Sequence, residues 1–155
     1  IFLKIVMATV NFNKVFIKTT LKGKGVFADC HFTKGETVII GKRVKVLPHR
    51  TIYSLQMDFD LHIDIDEPGR LINHSCSPNT GVRNNQFGGY DFVAITNIAL
   101  GEEITFDYET TECIISAFSE CLCGSANCRI TVRGFNFISS QLNKKYNEII
   151  ADYLK

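Results

Sequence analysis

Two short segments, met in this order, constrain the chain more than anything else in it. The first is Arg70-Leu71-Ile72-Asn73-His74-Ser75-Cys76-Ser77-Pro78-Asn79, and the second is Gly101-Glu102-Glu103-Ile104-Thr105-Phe106-Asp107-Tyr108. Each sets polar, chemically capable side chains inside an otherwise strand-like run. Around them, short apolar runs alternate with Gly, Asn and Asp punctuation. Val15 to Thr19, Thr37 to Ile40, Arg43 to Leu47, Asp91 to Ile95 and Glu103 to Phe106 read as strands. Asn84 to Gly89 reads as a hairpin loop, and residues 33–36 and 100–103 as tight turns before strands. Near the C-terminus the period changes. Leu142, Tyr146, Ile149, Ile150 and Tyr153 share one helical stripe, with Ser139 or Ser140 placed to cap it. The pattern predicts a mainly β domain of small sheets with one terminal amphipathic helix. At 155 residues, 45% of them apolar, this is one domain's worth of chain.

Six cysteines would allow three disulfides, but Cys121, Cys123 and Cys128 crowd together. A Cys-x-Cys pair is poorly placed to bridge itself, because disulfide geometry is demanding. Metal thiolates suit these three better, with Cys30 and Cys113 as free thiols. A structural zinc wants four ligands, so three clustered cysteines leave one to find.

Gly23-Lys24-Gly25-Val26-Phe27-Ala28 matches the G-x-G-x-x-G/A pattern of dinucleotide-binding turns. That fingerprint needs a helix at once and an acid roughly twenty residues on. The following residues do not suit a helix, and Lys42 to Arg50 contains no acid. A plain hairpin turn, or a backbone that approaches a ligand closely, fits the same residues.

Taken together, the Asn73-His74-Ser75-Cys76 segment, the segment ending in Tyr108 and the Cys121–Cys128 cluster resemble SET-domain protein lysine methyltransferases with a post-SET zinc motif. The resemblance covers roughly residues 15–137. It implies the SET β-clip fold of small sheets with a pseudoknot. It implies a SET domain (15–112) and a post-SET zinc module (113–137), which the apolar start and the helical stripe flank with an N-terminal strand or extension (1–14) and a C-terminal amphipathic helix (138–155). It also implies S-adenosylmethionine as methyl donor, with S-adenosylhomocysteine as product. The cofactor would lie against Gly23, Lys24, Gly25, Arg70, Asn73 and His74, with Leu122 and Phe135 covering the adenine. Tyr108 takes the catalytic position, and Cys76 joins Cys121, Cys123 and Cys128 around zinc.

Phe106 takes the family position that limits how many methyl groups fit; a Phe there leaves more room than a Tyr. A second pocket tyrosine, in a Tyr-x-Gly-Glu segment, is replaced by Ile39-Ile40-Gly41-Lys42, and Tyr53 is the candidate to line the pocket instead. The expected substrate is a basic, lysine-containing protein such as a histone. The alternative is a SET-like peptide-binding module with little turnover.

A net charge of +1 gives no reason to expect direct nucleic-acid binding. The apolar run Ile1 to Val10 is too short to span a bilayer and lacks the marks of a secretory signal. The expectation is an intracellular protein, cytoplasmic or nuclear, with no membrane partner and an oligomeric state left open.

Overall fold

The computed structural model describes residues 10–20 and 23–155. Of the expected N-terminal extension, residues 1–9 lie outside the described residues. The rest forms three small sheets and one α-helix, so the expected mainly β architecture is what the chain adopts.

The largest sheet is built from β1 (Val10–Phe12), β2 (Val15–Thr20), β3 (Gly23–Ala28), β8 (Asn73–His74) and β11 (Glu103–Phe106), in the order β1-β2-β3-β11-β8. Alternation decides which face is inside: Val15 and Ile17 on β2, and Val26 and Ala28 on β3, are buried. Phe16 and Phe27 stack on the opposite face, with ring centroids 5.7 Å apart. The second sheet holds β4 (Thr37–Gly41), β10 (Tyr90–Ala94) and β9 (Thr80–Asn84) in that order. The third holds β5 (Arg43–Leu47), β7 (Leu61–Ile65) and β6 (Leu55–Asp58).

Strands β3, β6, β7 and β9 add to those expected. The run Leu61-His62-Ile63-Asp64-Ile65 alternates in period two, and Ile63 and Ile65 are fully buried. Its one acid, Asp64, takes an outward position of the strand.

β8 and β11 pair in parallel, Asn73 opposite Thr105 and Phe106 opposite His74. This pairing lays the two signature segments side by side. It is the one parallel pair among the described strands, and every other pair is antiparallel.

The C-terminal helix differs from expectation. α1 spans Phe135–Tyr146 and is kinked at Ile138 (φ −137°, ψ 25°), so the helical run starts upstream of residues 139 and 140, which follow the kink. Gly134 occupies the cap at φ +123°, where a Cβ would meet the carbonyl oxygen of Cys113 at 2.3 Å. Glu109 Oε1 takes the place of a capping side chain, accepting from the N–H groups of Arg133 and Gly134 at 2.9 Å each. The helix stops because Asn147 turns to φ +46°. The residues beyond it still bury Ile150, Ala151 and Leu154. They do so as an extended and 3-10 tail, with Ala151 N–H bonded to the carbonyl of Thr110 at 2.9 Å. Apolar periodicity persists past the helix because the core, not helical geometry, is what these residues satisfy.

Candidate functional site

A cleft of about 750 Å³ runs along the paired signature segments. Of the residues expected to hold a cofactor, Gly23, Lys24, Arg70, Asn73, His74 and Leu122 line it. Gly25 lies just behind: a Cβ there would stand 2.7 Å from Glu103 Oε1 and 3.2 Å from Asn73 Nδ2. Phe135 is buried at the start of α1, its N–H bonded to the carbonyl of Glu112 at 2.8 Å, and it does not line this cleft. Phe118, which the sequence did not single out, lines the cleft and packs on the rings of His74 and Tyr108, at 5.5 and 6.1 Å.

Asn73 is fixed by bonds to both β3 and β11. Its Nδ2 donates to the carbonyl of Lys24 at 3.1 Å and to Glu103 Oε1 at 2.9 Å. Arg70 pairs with Asp64 (Nε to Oδ1, 3.0 Å), and its guanidinium lies 4.6 Å from the centroid of the Tyr53 ring. His74 is held neutral, its pKa lowered to about 4 by burial against the pull of Asp107. Its Nδ1 accepts from the backbone N–H of Tyr108 at 3.1 Å, which leaves the Nε2 proton facing Cys76 Sγ at 3.4 Å.

A second, much narrower cavity of about 30 Å³ adjoins the first. That is room for about one water. Tyr53, Arg70, Ile72, Tyr108 and Ala117 line both spaces, and Phe106 lines the narrow one. Tyr108 donates its hydroxyl proton to the carbonyl of Ile72 at 2.7 Å. Burial pushes its phenol well above the ordinary tyrosine range, so it stays a neutral hydroxyl. Phe106 is wedged between Phe92 and Tyr108, with centroids at 5.2 and 4.7 Å. Ile39 faces the core from β4, and Tyr53 stands at the junction of the two cavities.

The four cysteines Cys76, Cys121, Cys123 and Cys128 bring their Sγ atoms within 4.8 Å of one another. Backbone N–H groups of Arg129 and Ile130 donate to Cys76 and Cys128 Sγ, each at 3.4 Å. Four thiols gathered around one point with N–H donors aimed at sulfur is the donor set a tetrahedral zinc takes.

Two buried acids hold the site together. Asp107 accepts from Arg129 Nη2 at 2.8 Å and Tyr146 Oη at 3.0 Å. Arg129 also reaches Glu109 Oε2 at 2.9 Å. Sequence reading passed over these partnerships, since the residues are far apart along the chain. It also missed Glu112, the single acid on the wall of the narrow cavity, for which no local signal exists.

With this geometry in hand, the comparisons with known proteins agree. Residues 23–109 match the SET domain family model. The chain is 32% identical over 147 residues to a variant-silencing SET domain-containing protein of Plasmodium falciparum, covering 76% of this chain and 6% of that protein. It is 30% identical over 133 residues to the histone-lysine N-methyltransferase ASHH3 of Arabidopsis thaliana, covering 73% of this chain and 36% of that one. A crystal structure of KRYPTONITE in complex with mCHH DNA, an H3(1-15) peptide and SAH superposes with a TM-score of 0.57 at 24% identity, over 74% of this chain and 28% of the other. The chain belongs to the SET domain family. It spans about a third or less of the curated relatives named here.

Proposed function

We propose that this chain transfers methyl groups from S-adenosylmethionine to the side-chain amine of a lysine in a basic protein, with histones as the leading substrate class. The observation that carries this reading is the meeting of a wide cleft and a narrow cavity at Tyr108. Two reactants of unequal width would enter separately and meet at one hydroxyl.

The donor set fits the cofactor. Lys24 and Arg70 offer cations for a carboxylate, Asn73 and the nearby backbone offer polar contacts, and Leu122 and Phe118 offer apolar cover. When bound, S-adenosylmethionine would supply an electrophilic methyl on a positive sulfur. The chain's own residues then have to position a neutral amine in a dry channel, which is catalysis by orientation. Tyr108, a neutral hydroxyl anchored on Ile72, steers without competing as a nucleophile. Phe106 and Tyr53 shape the space around the amine. Cys76, Cys121, Cys123 and Cys128 would hold a structural zinc that ties the post-SET arm to the cleft.

The relatives support a histone-like substrate, since ASHH3 is named a histone-lysine N-methyltransferase and the KRYPTONITE complex holds an H3 peptide. Incubation of the zinc-loaded chain with radiolabelled cofactor and core histones should label a lysine. Absence of label on histones and on a total-protein extract would overturn the proposal.

A further inference from the structure

The narrow channel has one acid in its wall, and its setting is unlike that of a surface carboxylate. Glu112 follows the 3-10 turn Tyr108–Thr110, and its own N–H bonds to the carbonyl of Tyr108 at 2.9 Å. The residue is only 7% exposed. Its Oε1 is held firmly, accepting from the Gln56 N–H at 2.8 Å and the Thr111 hydroxyl at 3.2 Å. Neither bond reaches Oε2. Among the described residues Glu112 forms no ion pair. A buried carboxyl with one oxygen anchored and no ion pair is costly as a purely structural element.

The reaction leaves a matching chemical gap. A lysine nitrogen attacks only as the neutral amine, while free lysine holds its proton up to a pKa of about 10.4. Arg50 and Arg70 share the channel wall and disfavour an ammonium there. Something must take the proton in a channel with room for about one water.

We propose that Glu112 accepts the proton that the substrate ammonium loses before methylation, an inference that rests on the methyltransferase reading. The N–H bond breaks and its electron pair stays on nitrogen as the nucleophilic lone pair. An O–H bond forms on the carboxylate, directly or through one water, and Glu112 becomes neutral. The groups that face it are Arg50, Cys113, Tyr90 through Gln56, Tyr108, and Tyr153 through Thr111. Burial raises the Glu112 carboxyl to about 7 against its hydrogen bonds and Arg50, so near neutral pH it both accepts and returns a proton.

The test compares the wild type with Glu112→Gln, which keeps an acceptor for the Gln56 N–H. The probe is a synthetic basic peptide bearing either lysine or the more acidic aminoethylcysteine at the methylated position. Expected is a loss of kcat in E112Q of about 100-fold at pH 7 with lysine. That loss should shrink as pH rises, and shrink with aminoethylcysteine at any one pH. Cofactor affinity should stay within about twofold. An equal loss with both peptides at every pH overturns the proposal and leaves Glu112 as packing.

A second measurement needs no turnover and no variant. In wild-type protein carrying ¹³C-labelled glutamate, with S-adenosylhomocysteine bound, the Glu112 carboxyl should titrate near 7. The lysine peptide should shift that titration, and a norleucine peptide should not. Identical titrations with both peptides overturn the inference. A wild type that methylates no lysine peptide overturns the underlying reading instead.

Discussion

Tyr146, in the last turn of the C-terminal helix, donates its hydroxyl to Oδ2 of Asp107 at 3.0 Å, one residue before Tyr108. Asp107 is fully buried, and Arg129 of the cysteine module approaches its other oxygen at 2.8 Å. One carboxylate therefore joins three stretches of chain that have no sequence proximity. Its third partner is local, the N–H of Glu109 at 3.2 Å. Lys145 adds a bond from the same helix to the carbonyl of Cys76 at 3.0 Å. The helix and the cysteine module are thus braced against the segment that carries Tyr108.

Removing Asp107 should be costly, because Arg129 would be left as a half-buried charge with half its partners. Asp107→Ala is expected to destabilise the fold by about 3–5 kcal/mol, the scale of breaking a buried pair from one side. Tyr146→Phe should cost about 1 kcal/mol. Denaturant titrations of the two variants read the difference, and similar losses in both would show that Arg129 is indifferent to Asp107.

Tyr108→Phe removes the hydroxyl and its bond to Ile72 while keeping the ring against Phe106 and His74. Turnover should fall by about one to three orders of magnitude, the range for one positioned donor. Calorimetric affinity for S-adenosylhomocysteine should change far less, and turnover equal to wild type would strip Tyr108 of its role.

Phe106→Tyr places a phenol oxygen in a cavity of about 30 Å³. The room for a second methyl should disappear, shifting products from dimethyl- toward monomethyl-lysine. Mass spectrometry of peptide at long times with fresh cofactor measures the shift, and an unaltered product ratio counts against Phe106 as the limit.

Cys128→Ser removes one of four convergent thiols. The purified wild type should carry one zinc per chain, and the variant close to none. Because metal binding and local folding are coupled, residues 113–137 should become sensitive to protease in the variant. Elemental analysis finding no metal in active, reductant-treated wild type is the contrary result.

Glu112 also makes a stability prediction with a definite sign. Burial raises its carboxyl from the ordinary glutamate value to about 7, so the folded state binds a proton more tightly than the unfolded chain. Its contribution is fully present below the unfolded value and is lost as pH rises through about 7. The difference in unfolding free energy between wild type and Glu112→Gln should therefore fall across that window. A difference that stays flat from pH 4 to pH 8 would mean the carboxyl titrates normally.

Much of this molecule can be read along the chain. Period-two alternation at the start of β2, the Gly101 turn before β11 and the Asn84–Gly89 hairpin are local properties, and local steric rules suffice to set them. The motif residues Asn73, His74, Phe106, Tyr108 and the cysteine cluster stood out through their resemblance, in type and order, to the signature segments of the SET family. What the chain alone did not disclose is every relationship that depends on two distant segments meeting. Phe135, read as an adenine cover, is buried at the start of α1, and that burial is set by the segments packed around it. The helix began and ended elsewhere than periodicity suggested, since Glu109 supplied a cap from another segment and Asn147 broke the run. Glu112 sits in a segment with no motif and becomes chemically distinctive only when β6, Arg50 and Tyr108 close around it. Side-chain type and spacing are written in one dimension. Burial, which sets charge state and hydrogen-bond partners, exists only after distant strands have packed.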